Sequence, residues 1–280
     1  MTKSYTINVR GRLLDVAQPQ VMGILNVTPD SFYAGSRKQT EQEIADRANQ
    51  IILEGGTMID VGAFSTRPGA PEVSEEEEMN RLRFGLEIVR REQPNAVVSV
   101  DTFRPDVARM AVEEWGADII NDVSEGGITG RANVPLAQTN EDIPAIFKMI
   151  GRLKVPYILM SVKPCLHDMM IAFAREVQQL RSLGVKDIIL DPGFGFGKTI
   201  DENYLLLNQL EKLQALDLPL LVGVSRKSMI FKLIGGDPTT SLNGTSIINT
   251  ISLVKGASIL RVHDVREAVE CVEIYKKMKE

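Results

Sequence analysis

Side chains that can carry charge or hydrogen-bond a ligand recur where apolar segments of this sequence end. Asn26 follows VMGIL (21–25), Asp101 follows AVVSV (96–100) and Asp191 follows DIIL (187–190). A single Asp or Asn after a strand is more often a turn former than part of a site, but here the pattern repeats. The residues in such positions are Asn26, Asp60, Asp101, Asn121, Asp122, Met160, Ser161, Asp191, Ser225, Arg226, Lys227, Arg261 and His263. Buried polar groups are costly unless paired, so the repetition predicts a shared binding site.

The acceptors in this set indicate a flat, nitrogen-rich ligand. A carboxylate such as Asp101 or Asp191 can accept two parallel hydrogen bonds from an amidine-like edge of N–H donors. The amide of Asn121 can both donate and accept, which suits the edge of a heterocycle. These side chains therefore predict a site for a flat nitrogen heterocycle.

The cations of the set indicate an anionic group beside that ring. They are Lys227, Arg261 and His263, and such side chains suit a phosphate or an anionic leaving group. STRPGA (65–70) adds Thr66 and Arg67 in a turn that Pro68 and Gly69 shape. DPGFGFGK (191–198) lacks the spacing of a phosphate-binding P-loop, so we interpret it as a flexible turn with aromatic groups that can stack on a ring.

The intervening segments predict the elements that position these residues. Eight short apolar runs alternate with stretches of helical periodicity: 21–25, 57–62, 96–100, 117–121, 156–160, 187–190, 219–224 and 258–262. Nearly continuous apolar runs are typical of parallel strands covered on both faces. We therefore predict one (β/α)8 TIM-barrel domain over residues 1–280, with a doubly wound sheet as the alternative. Residues 4–16 predict an N-terminal β-hairpin that plugs the bottom of the barrel.

Composition excludes several classes of protein. The 280 residues are 44% hydrophobic and 25% charged, as in ordinary globular proteins, and the net charge of −5 argues against general nucleic-acid binding. The two cysteines lie far apart in sequence and have no metal-ligand spacing. No signal-peptide core or run long enough to cross a bilayer occurs. We expect a cytoplasmic protein with no membrane or nucleic-acid partner.

Several segments resemble one family in the same order along the chain. They are MGILNVTPDSF, STRPGA, SVDTF, ADIINDVS, ILDPGFGFGK, LPLLVGVSRKSMI and ILRVHDV, and together they resemble dihydropteroate synthase. The resemblance implies a TIM barrel, usually a homodimer, that joins 6-hydroxymethyl-7,8-dihydropterin pyrophosphate to p-aminobenzoate in folate biosynthesis. It also implies Mg²⁺ assistance, release of pyrophosphate and competition by sulfonamides. The carbon–oxygen bond would break first, and acidic groups would favour the developing pterin cation.

The resemblance also implies roles for individual residues. It assigns the pterin to Asp101, Asn121, Met160, Asp191 and Lys227. It assigns the magnesium–pyrophosphate to Asn26, as the metal ligand, and the phosphates to Arg261 and His263. It places Thr66, Arg67 and Pro68 in one mobile loop and residues 28–32 in another. It places Phe196 and Ser228 in the p-aminobenzoate pocket. The residues expected to act in catalysis are Asn26, Arg67, Lys227, Arg261 and His263.

One segment departs from the family. Where the family reads MHMQG, this chain reads MSVKP (160–164), with Ser161 for His and Lys163 for Gln. We expect Lys163 to point to solvent, since an inward cation would oppose a pterin cation. The departure leaves a second hypothesis open, a pterin-binding paralogue without synthase activity. A folate methyltransferase domain is a third, which STRPG and SRKS argue against because no pyrophosphate leaves in that reaction.

Overall fold

The computed structural model describes residues 5–27, 37–63, 73–127 and 143–280, with the side chains of 37–39 excluded. The strands are β1 (Thr6–Val9), β2 (Arg12–Asp15), β3 (Gln20–Asn26), β4 (Met58–Gly62), β5 (Val97–Asp101), β6 (Ile119–Asp122), β7 (Tyr157–Met160), β8 (Ile188–Asp191), β9 (Leu221–Val222) and β10 (Ile259–Val262). The helices are α1 (Arg37–Leu53), α2 (Glu75–Glu92), α3 (Pro105–Glu113), α4 (Ala145–Leu153), α5 (Leu166–Ser182), α6 (Ile200–Asn208), α7 (Ser228–Ile234), α8 (Leu242–Val254) and α9 (Val265–Lys279), with a 3-10 helix at Leu210–Leu216.

The eight parallel strands β3 to β10 form a barrel. Their order is β8-β7-β6-β5-β4-β3-β10-β9, and a parallel bridge between Leu190 and Leu220 joins the two ends of the sheet. The prediction of a (β/α)8 barrel is therefore confirmed, and the doubly wound alternative is wrong. β9 is shorter than the predicted run 219–224: Pro219 has no backbone N–H to donate to a ladder, although its carbonyl accepts from Leu190 N at 2.9 Å.

Residues on each strand alternate between the barrel interior and the helix layer. Ile59 and Val61 pack into the large core beneath the helices, whereas Met58 belongs to a separate interior cluster. Because side chains on a strand have a period of two, Asp60 lies on the same face as Met58. The same parity turns Asp101, Asn121 and Asp191 inward on their strands.

The N-terminal hairpin closes one end of this interior. β1 and β2 pair antiparallel, and Ile7, Val9 and Val16 pack into the interior cluster with the strand residues Met22, Met58, Ile119, Ile158, Ile189, Leu221 and Ile259. The predicted hairpin is thus present at the amino ends of the strands. The opposite, carboxyl ends stay available for a ligand, as in barrel enzymes generally.

None of the helices in the described ranges has the length and hydropathy that a membrane span would need.

Candidate active site

Strand register brings the predicted residues to one level of the barrel. Asn26 pairs with Gly62, Gly62 with Asp101, and Asp101 with Asn121. Further around, Met160 pairs with Asp191. Residues that are distant in sequence therefore line one rim at the carboxyl ends of the strands.

An arginine and two carboxylates lie at the centre of this rim. Arg261 Nε donates to Asp60 Oδ2 at 2.7 Å, and Arg261 Nη2 donates to Asp101 Oδ2 at 3.0 Å. Asn121 Nδ2 donates to the same Asp60 oxygen at 3.2 Å. Burial lowers the pKa of Arg261, but the surrounding carboxylates outweigh it and raise that pKa above its ordinary value. The prediction assigned Arg261 to phosphates, whereas in the structure its guanidinium binds carboxylates; the phosphate role stays a prediction.

Two acceptors of this cluster have no hydrogen-bond partner among the described residues. They are Asp60 Oδ1 and Asn121 Oδ1, both buried. Burial raises the pKa of Asp101 to about 7, and the charge of Asp60 adds to that shift while Arg261 opposes it. The cluster is thus short of hydrogen-bond donors and of positive charge. A ligand that presents N–H groups or a cation would complete it.

Asp191 and Lys227 form a second polar group on the rim. Asp191 Oδ1 accepts from Gly193 N at 2.7 Å, and burial raises the pKa of Asp191 while Lys227 opposes the rise. The Lys227 ammonium donates to the Phe194 carbonyl and lies 4.4 Å from the centre of the Phe196 ring. Burial lowers the pKa of Lys227 to about 7. At neutral pH the charge of this lysine is therefore sensitive to what binds beside it.

The prediction of a flexible turn at 191–198 is wrong, because hydrogen bonds hold this loop and Phe194 is buried in the large core rather than facing a ligand. Gly193, Gly195 and Gly197 all have positive φ, at 65°, 79° and 60°, where other residues are strained. Lys198 Nζ donates to the carbonyls of Ser161, Gly193 and Phe196 at 2.9–3.3 Å. The loop therefore presents Phe196 at a fixed place.

Apolar side chains form one wall of the rim. Met160, Val123 and Val162 are buried together, and the partly exposed Phe196 packs against them. Ser228 begins α7 directly after Lys227 and is partly exposed. The predicted pocket residues Met160 and Phe196 thus share one cluster, while no contact of Ser228 with it is described.

Asn26 and His263 line a cleft of about 450 Å³ beside the rim, together with Arg47, Arg226 and Asp264. His263 Nδ1 lies 3.1 Å from Ser225 Oγ, and burial together with the charge of Arg261 lowers the pKa of His263 to about 4. The prediction that His263 is a cation is wrong at neutral pH, because its lowered pKa leaves the ring uncharged. It can offer a phosphate a hydrogen bond but no charge.

The adjacent cations Arg226 and Lys227 diverge. Arg226 binds Asp264 through two hydrogen bonds, of 2.9 and 2.5 Å, whereas Lys227 turns inward. Of the predicted loop residues, Thr66, Arg67 and Pro68 lie outside the described residues, as does the segment 28–32. Their roles stay predictions.

The segment that departs from the family is held by a buried carboxylate. Glu125 Oε2 accepts from Val162 N at 2.8 Å, and Glu125 Oε1 lies 3.6 Å from Lys163 Nζ. The side chain of Lys163 is 35% exposed and that of Glu125 only 1%. The expectation that Lys163 points to solvent is therefore wrong: about two thirds of its side chain is covered, and its ammonium pairs with the buried Glu125 carboxylate.

Sequence reasoning placed Asp60 among the strand-end residues without giving it a role, and it missed Arg47 and Glu125 as site components. Asp60 had a usable signal, since it precedes Gly62 by two residues and so shares the face of Asp101. Arg47 lies within a helical stretch and Glu125 within a loop, and neither position had a pattern that marks it. Their contacts depend on the tertiary structure.

The fold and this rim define a class, the barrel enzymes that bind a ligand at the carboxyl ends of their strands. Comparison narrows the class, because residues 22–263 match the family of pterin binding enzymes. Dihydropteroate synthase of Escherichia coli K12 is 39% identical over 270 residues, covering 95% of this chain and 93% of that protein. Dihydropteroate synthase of Synechocystis is 38% identical over 258 residues, covering 91% of this chain and 88% of that protein.

Solved structures agree with this comparison. Xanthomonas albilineans dihydropteroate synthase with 4-aminobenzoic acid has a TM-score of 0.85 at 32% identity, covering 99% of each chain. The Yersinia pestis enzyme with a pterin–sulfa conjugate has a TM-score of 0.81 at 33% identity, again covering 99% of each. The chain belongs to the pterin-binding enzyme family, among the dihydropteroate synthases.

Proposed function

We propose that this chain condenses 6-hydroxymethyl-7,8-dihydropterin pyrophosphate with p-aminobenzoate, giving 7,8-dihydropteroate and pyrophosphate. The chain is a transferase of folate biosynthesis. The proposal adds the residues that act on each part of the substrate and the assistance of Mg²⁺. One observation supports it most: the donor-poor cluster of Asp60, Asp101 and Asn121 at the carboxyl ends of the strands.

The donor-poor cluster suits the edge of a pterin ring. The N–H groups of that edge would bond the free oxygens of Asp60 and Asn121, and Asp191 would accept others across the rim. Charge-assisted hydrogen bonds of this kind contribute roughly 1.5–3 kcal/mol each. As the carbon–oxygen bond to pyrophosphate breaks, positive charge develops on the pterin, and the ionised forms of Asp101 and Asp191 favour it.

The cleft beside the rim suits the pyrophosphate. Asn26 would offer its amide oxygen to Mg²⁺, and His263 would donate a hydrogen bond to a phosphate. Among the described residues no group of three or more His, Cys, Asp or Glu side chains could hold a metal. Mg²⁺ commonly takes few protein ligands and completes its shell with water and substrate phosphates, so a single amide fits. When bound, Mg²⁺ would neutralise charge on the leaving pyrophosphate.

The p-aminobenzoate would lie toward Phe196 and Ser228. The ring of Phe196 offers a face for the benzoate ring to pack on, and Lys198 fixes the backbone that carries Phe196. Thr66, Arg67 and Pro68 complete this side in the proposal. Sulfonamides would compete there, as ligands of the p-aminobenzoate type.

The decisive experiment is release of pyrophosphate by the purified protein. We expect release that requires the dihydropterin pyrophosphate, p-aminobenzoate and Mg²⁺ together. The rival is a pterin-binding paralogue, which the MSVKP segment suggests. Pterin binding by calorimetry without any pyrophosphate release would overturn the synthase and leave the paralogue.

The chain also offers a face for a homodimer. Ile247, Ile251 and Val254 recur along α8 and are 37–52% exposed, and Ile274 and Met278 are exposed on α9, which packs against α8. Residues three and four apart share one face of a helix, so these side chains form an apolar stripe. We propose a second copy of this chain as the occupant, in the cytoplasm. Light scattering should give the mass of a dimer, and Ile251→Glu should give that of a monomer.

A further inference from the structure

Arg47 of α1 connects the two strand ends that border the pyrophosphate cleft. Its Nε donates to the Ile24 carbonyl at 3.1 Å, and its Nη2 donates to the His263 carbonyl at 2.6 Å. Ile24 precedes Asn26 by two residues in β3, and His263 directly follows β10. One guanidinium therefore bridges the backbone segments that carry Asn26 and His263.

This bridge lies beyond the last described register pair of the two strands. β3 and β10 pair from Gln20 with Ile259 to Gly23 with Val262. Ile24 and His263 are the next residues along each strand, so the bridge from Arg47 continues the connection at the point where the ladder ends. A side chain from a helix thus joins the backbone of the strand that carries Asn26 to the backbone of His263.

Arg47 also adds charge to the cleft. Within the described residues it forms no ion pair, and its remaining polar contact is Gln50 Oε1 at 3.4 Å from Nη1. Burial lowers its pKa, with Glu54 and Asp264 opposing and Arg226 adding to the shift. An arginine in this state gains from an anion beside it.

The other charges of the cleft do not cancel Arg47 directly. Arg226 is already bound by Asp264, and the charge of Glu267 also acts on it. Glu54 lies seven residues beyond Arg47 on α1, about 10 Å further along the helix axis. Among the described residues that line the cleft, Arg47 is therefore a cation without a carboxylate bound to it.

We propose that Arg47 is a positioning residue for the leaving group, which sets the spacing of Asn26 and His263 and adds positive charge where a pyrophosphate would lie. This rests on the proposed function, which places pyrophosphate in that cleft. The bridge needs two N–H donors in a fixed fork, which the guanidinium has. Lysine offers a compact charge on a flexible stem and cannot reproduce that geometry.

The test compares Arg47→Met and Arg47→Lys with the wild type and with Arg91→Met. Arg91 is a matched control: it also contacts α1, through Glu41 at 2.8 Å, and its removal also deletes one charge, but its side chain is 51% exposed. Calorimetry measures binding of inorganic pyrophosphate with Mg²⁺, and separately binding of a pterin that has no phosphate. Steady-state assays then give KM for the pterin pyrophosphate and for p-aminobenzoate.

We expect Arg47→Met to weaken pyrophosphate binding about tenfold, as loss of an outer partner of a ligand commonly does, and to leave binding of the plain pterin within about twofold. Arg47→Lys should remain weaker than the wild type by roughly threefold or more, because the bridge is lost although the charge stays. The KM for the pterin pyrophosphate should rise, while that for p-aminobenzoate should not. Arg91→Met should match the wild type throughout.

Three results would overturn the proposal. Pyrophosphate binding equal in Arg47→Met and Arg91→Met would remove any role in the cleft. Equal binding in Arg47→Lys and the wild type would leave charge but no positioning. Equal losses for plain pterin and pyrophosphate would indicate general disruption of the fold. If Arg47→Met does not fold, Arg47→Lys carries the same comparison. Failure of the proposed function is a different result: the wild-type protein would bind pyrophosphate but would not form pyrophosphate from the dihydropterin substrate.

Discussion

Two buried aspartates near opposite ends of the barrel have arginine partners but very different surroundings. Asp118, before β6, accepts at Oδ2 from Val98 N at 2.8 Å, Arg90 Nη2 at 3.1 Å and Arg10 Nη2 at 3.3 Å. Its other oxygen, Oδ1, accepts no hydrogen bond among the described residues but forms an ion pair with Arg10 Nε. Asp60 lies toward the carboxyl end of β4, and its Oδ1 has neither a hydrogen bond nor an ion pair among the described residues.

The comparison distinguishes an end of the barrel whose buried charge is paired by the protein from an end whose buried acceptors are left for a ligand. Arg90 also donates to the carbonyls of Trp115, Ala96 and Gly116, so the amino-end cluster joins several loops. At the carboxyl end, unpaired acceptors and a pKa of about 7 for Asp101 leave capacity for a substrate. The amino-end cluster should therefore govern stability, and the carboxyl-end cluster should govern binding.

The largest effect should follow from breaking the amino-end cluster. Arg90→Met leaves Asp118 buried with one arginine and leaves three carbonyls without that donor. Removing one partner of a buried pair costs about 3–5 kcal/mol, and we expect a loss of that order in the free energy of unfolding, measured with urea. Pterin affinity of the folded fraction should not change.

Arg83→Met is the matched control, since Arg83 is also on α2 but its ion pair with Glu114 is half exposed. Its loss should cost less than about 1 kcal/mol. If Arg90→Met left stability unchanged but weakened pterin binding, the amino-end cluster would govern binding rather than stability.

The second effect tests the carboxyl end. Asp191→Asn keeps an oxygen that can accept from Gly193 N but loses the charge. Charge-assisted hydrogen bonds contribute roughly 1.5–3 kcal/mol, so pterin affinity by calorimetry should fall more than about tenfold while the protein stays folded. Asp187→Asn is the control at the amino end of the same strand. Unchanged affinity in folded Asp191→Asn would remove Asp191 from the pterin site.

These two ends also show what the sequence could and could not reveal about the fold. Apolar runs with polar ends predicted all eight barrel strands, because burial on both faces leaves a continuous apolar signal. The hairpin was predicted separately, from a turn at Gly11 within residues 4–16. The short β9 was not foreseen, since Pro219 does not interrupt the apolar pattern. Arg90 and Asp118 carried no signal, because their pairing depends on contacts across the folded chain.

The sequence predicted which residues lie at the candidate site, but not which of them bind one another. Strand-end position alone placed Asp101, Asn121 and Asp191 on one rim, as the register confirms. It could not show that Arg261 faces carboxylates or that burial leaves His263 uncharged. Both depend on desolvation and on neighbours from other strands, which no local pattern encodes.

A third effect should appear in the dependence of stability on pH. Glu176 is fully buried, and burial together with the charge of Glu125 raises its pKa to about 7. A raised pKa means that the folded state holds the proton more tightly, so this contribution to stability is present below the unfolded pKa and is lost as pH rises through 7. The free energy of unfolding should therefore decline from pH 5 to pH 8.

Glu176→Gln removes that titration. We expect it to flatten the decline and to raise the free energy of unfolding at pH 8 by roughly 3 kcal/mol, since the pKa rises from 4.5 to about 7 and one pKa unit corresponds to about 1.4 kcal/mol. Part of the slope should remain, because burial also raises the pKa values of Asp101 and Asp191. Glu211→Gln, at an exposed ion pair with Lys255, serves as the control. An unchanged slope in Glu176→Gln would mean that Glu176 is ionised throughout this range.

The smallest effect should come from Lys163, which directly follows the pocket-wall residue Val162. Its partner Glu125 holds Val162 N at 2.8 Å, and this backbone contact does not need the lysine. Because Glu125 also balances its charge, Lys163 should not oppose a developing pterin cation. Lys163→Gln should therefore change catalytic efficiency less than about threefold, or under roughly 0.7 kcal/mol of transition-state energy.

Glu125→Ala gives the contrast to Lys163→Gln, since it removes the acceptor of Val162 N and should raise KM for the pterin substrate. The double variant Glu125→Gln, Lys163→Gln removes both charges and should recover any stability lost in Lys163→Gln alone. A tenfold loss of catalytic efficiency in Lys163→Gln, with no change in Glu125→Ala, would show that the lysine matters more than the carboxylate. The ammonium itself would then act on the substrate, and this part of the rim would belong with the binding cluster.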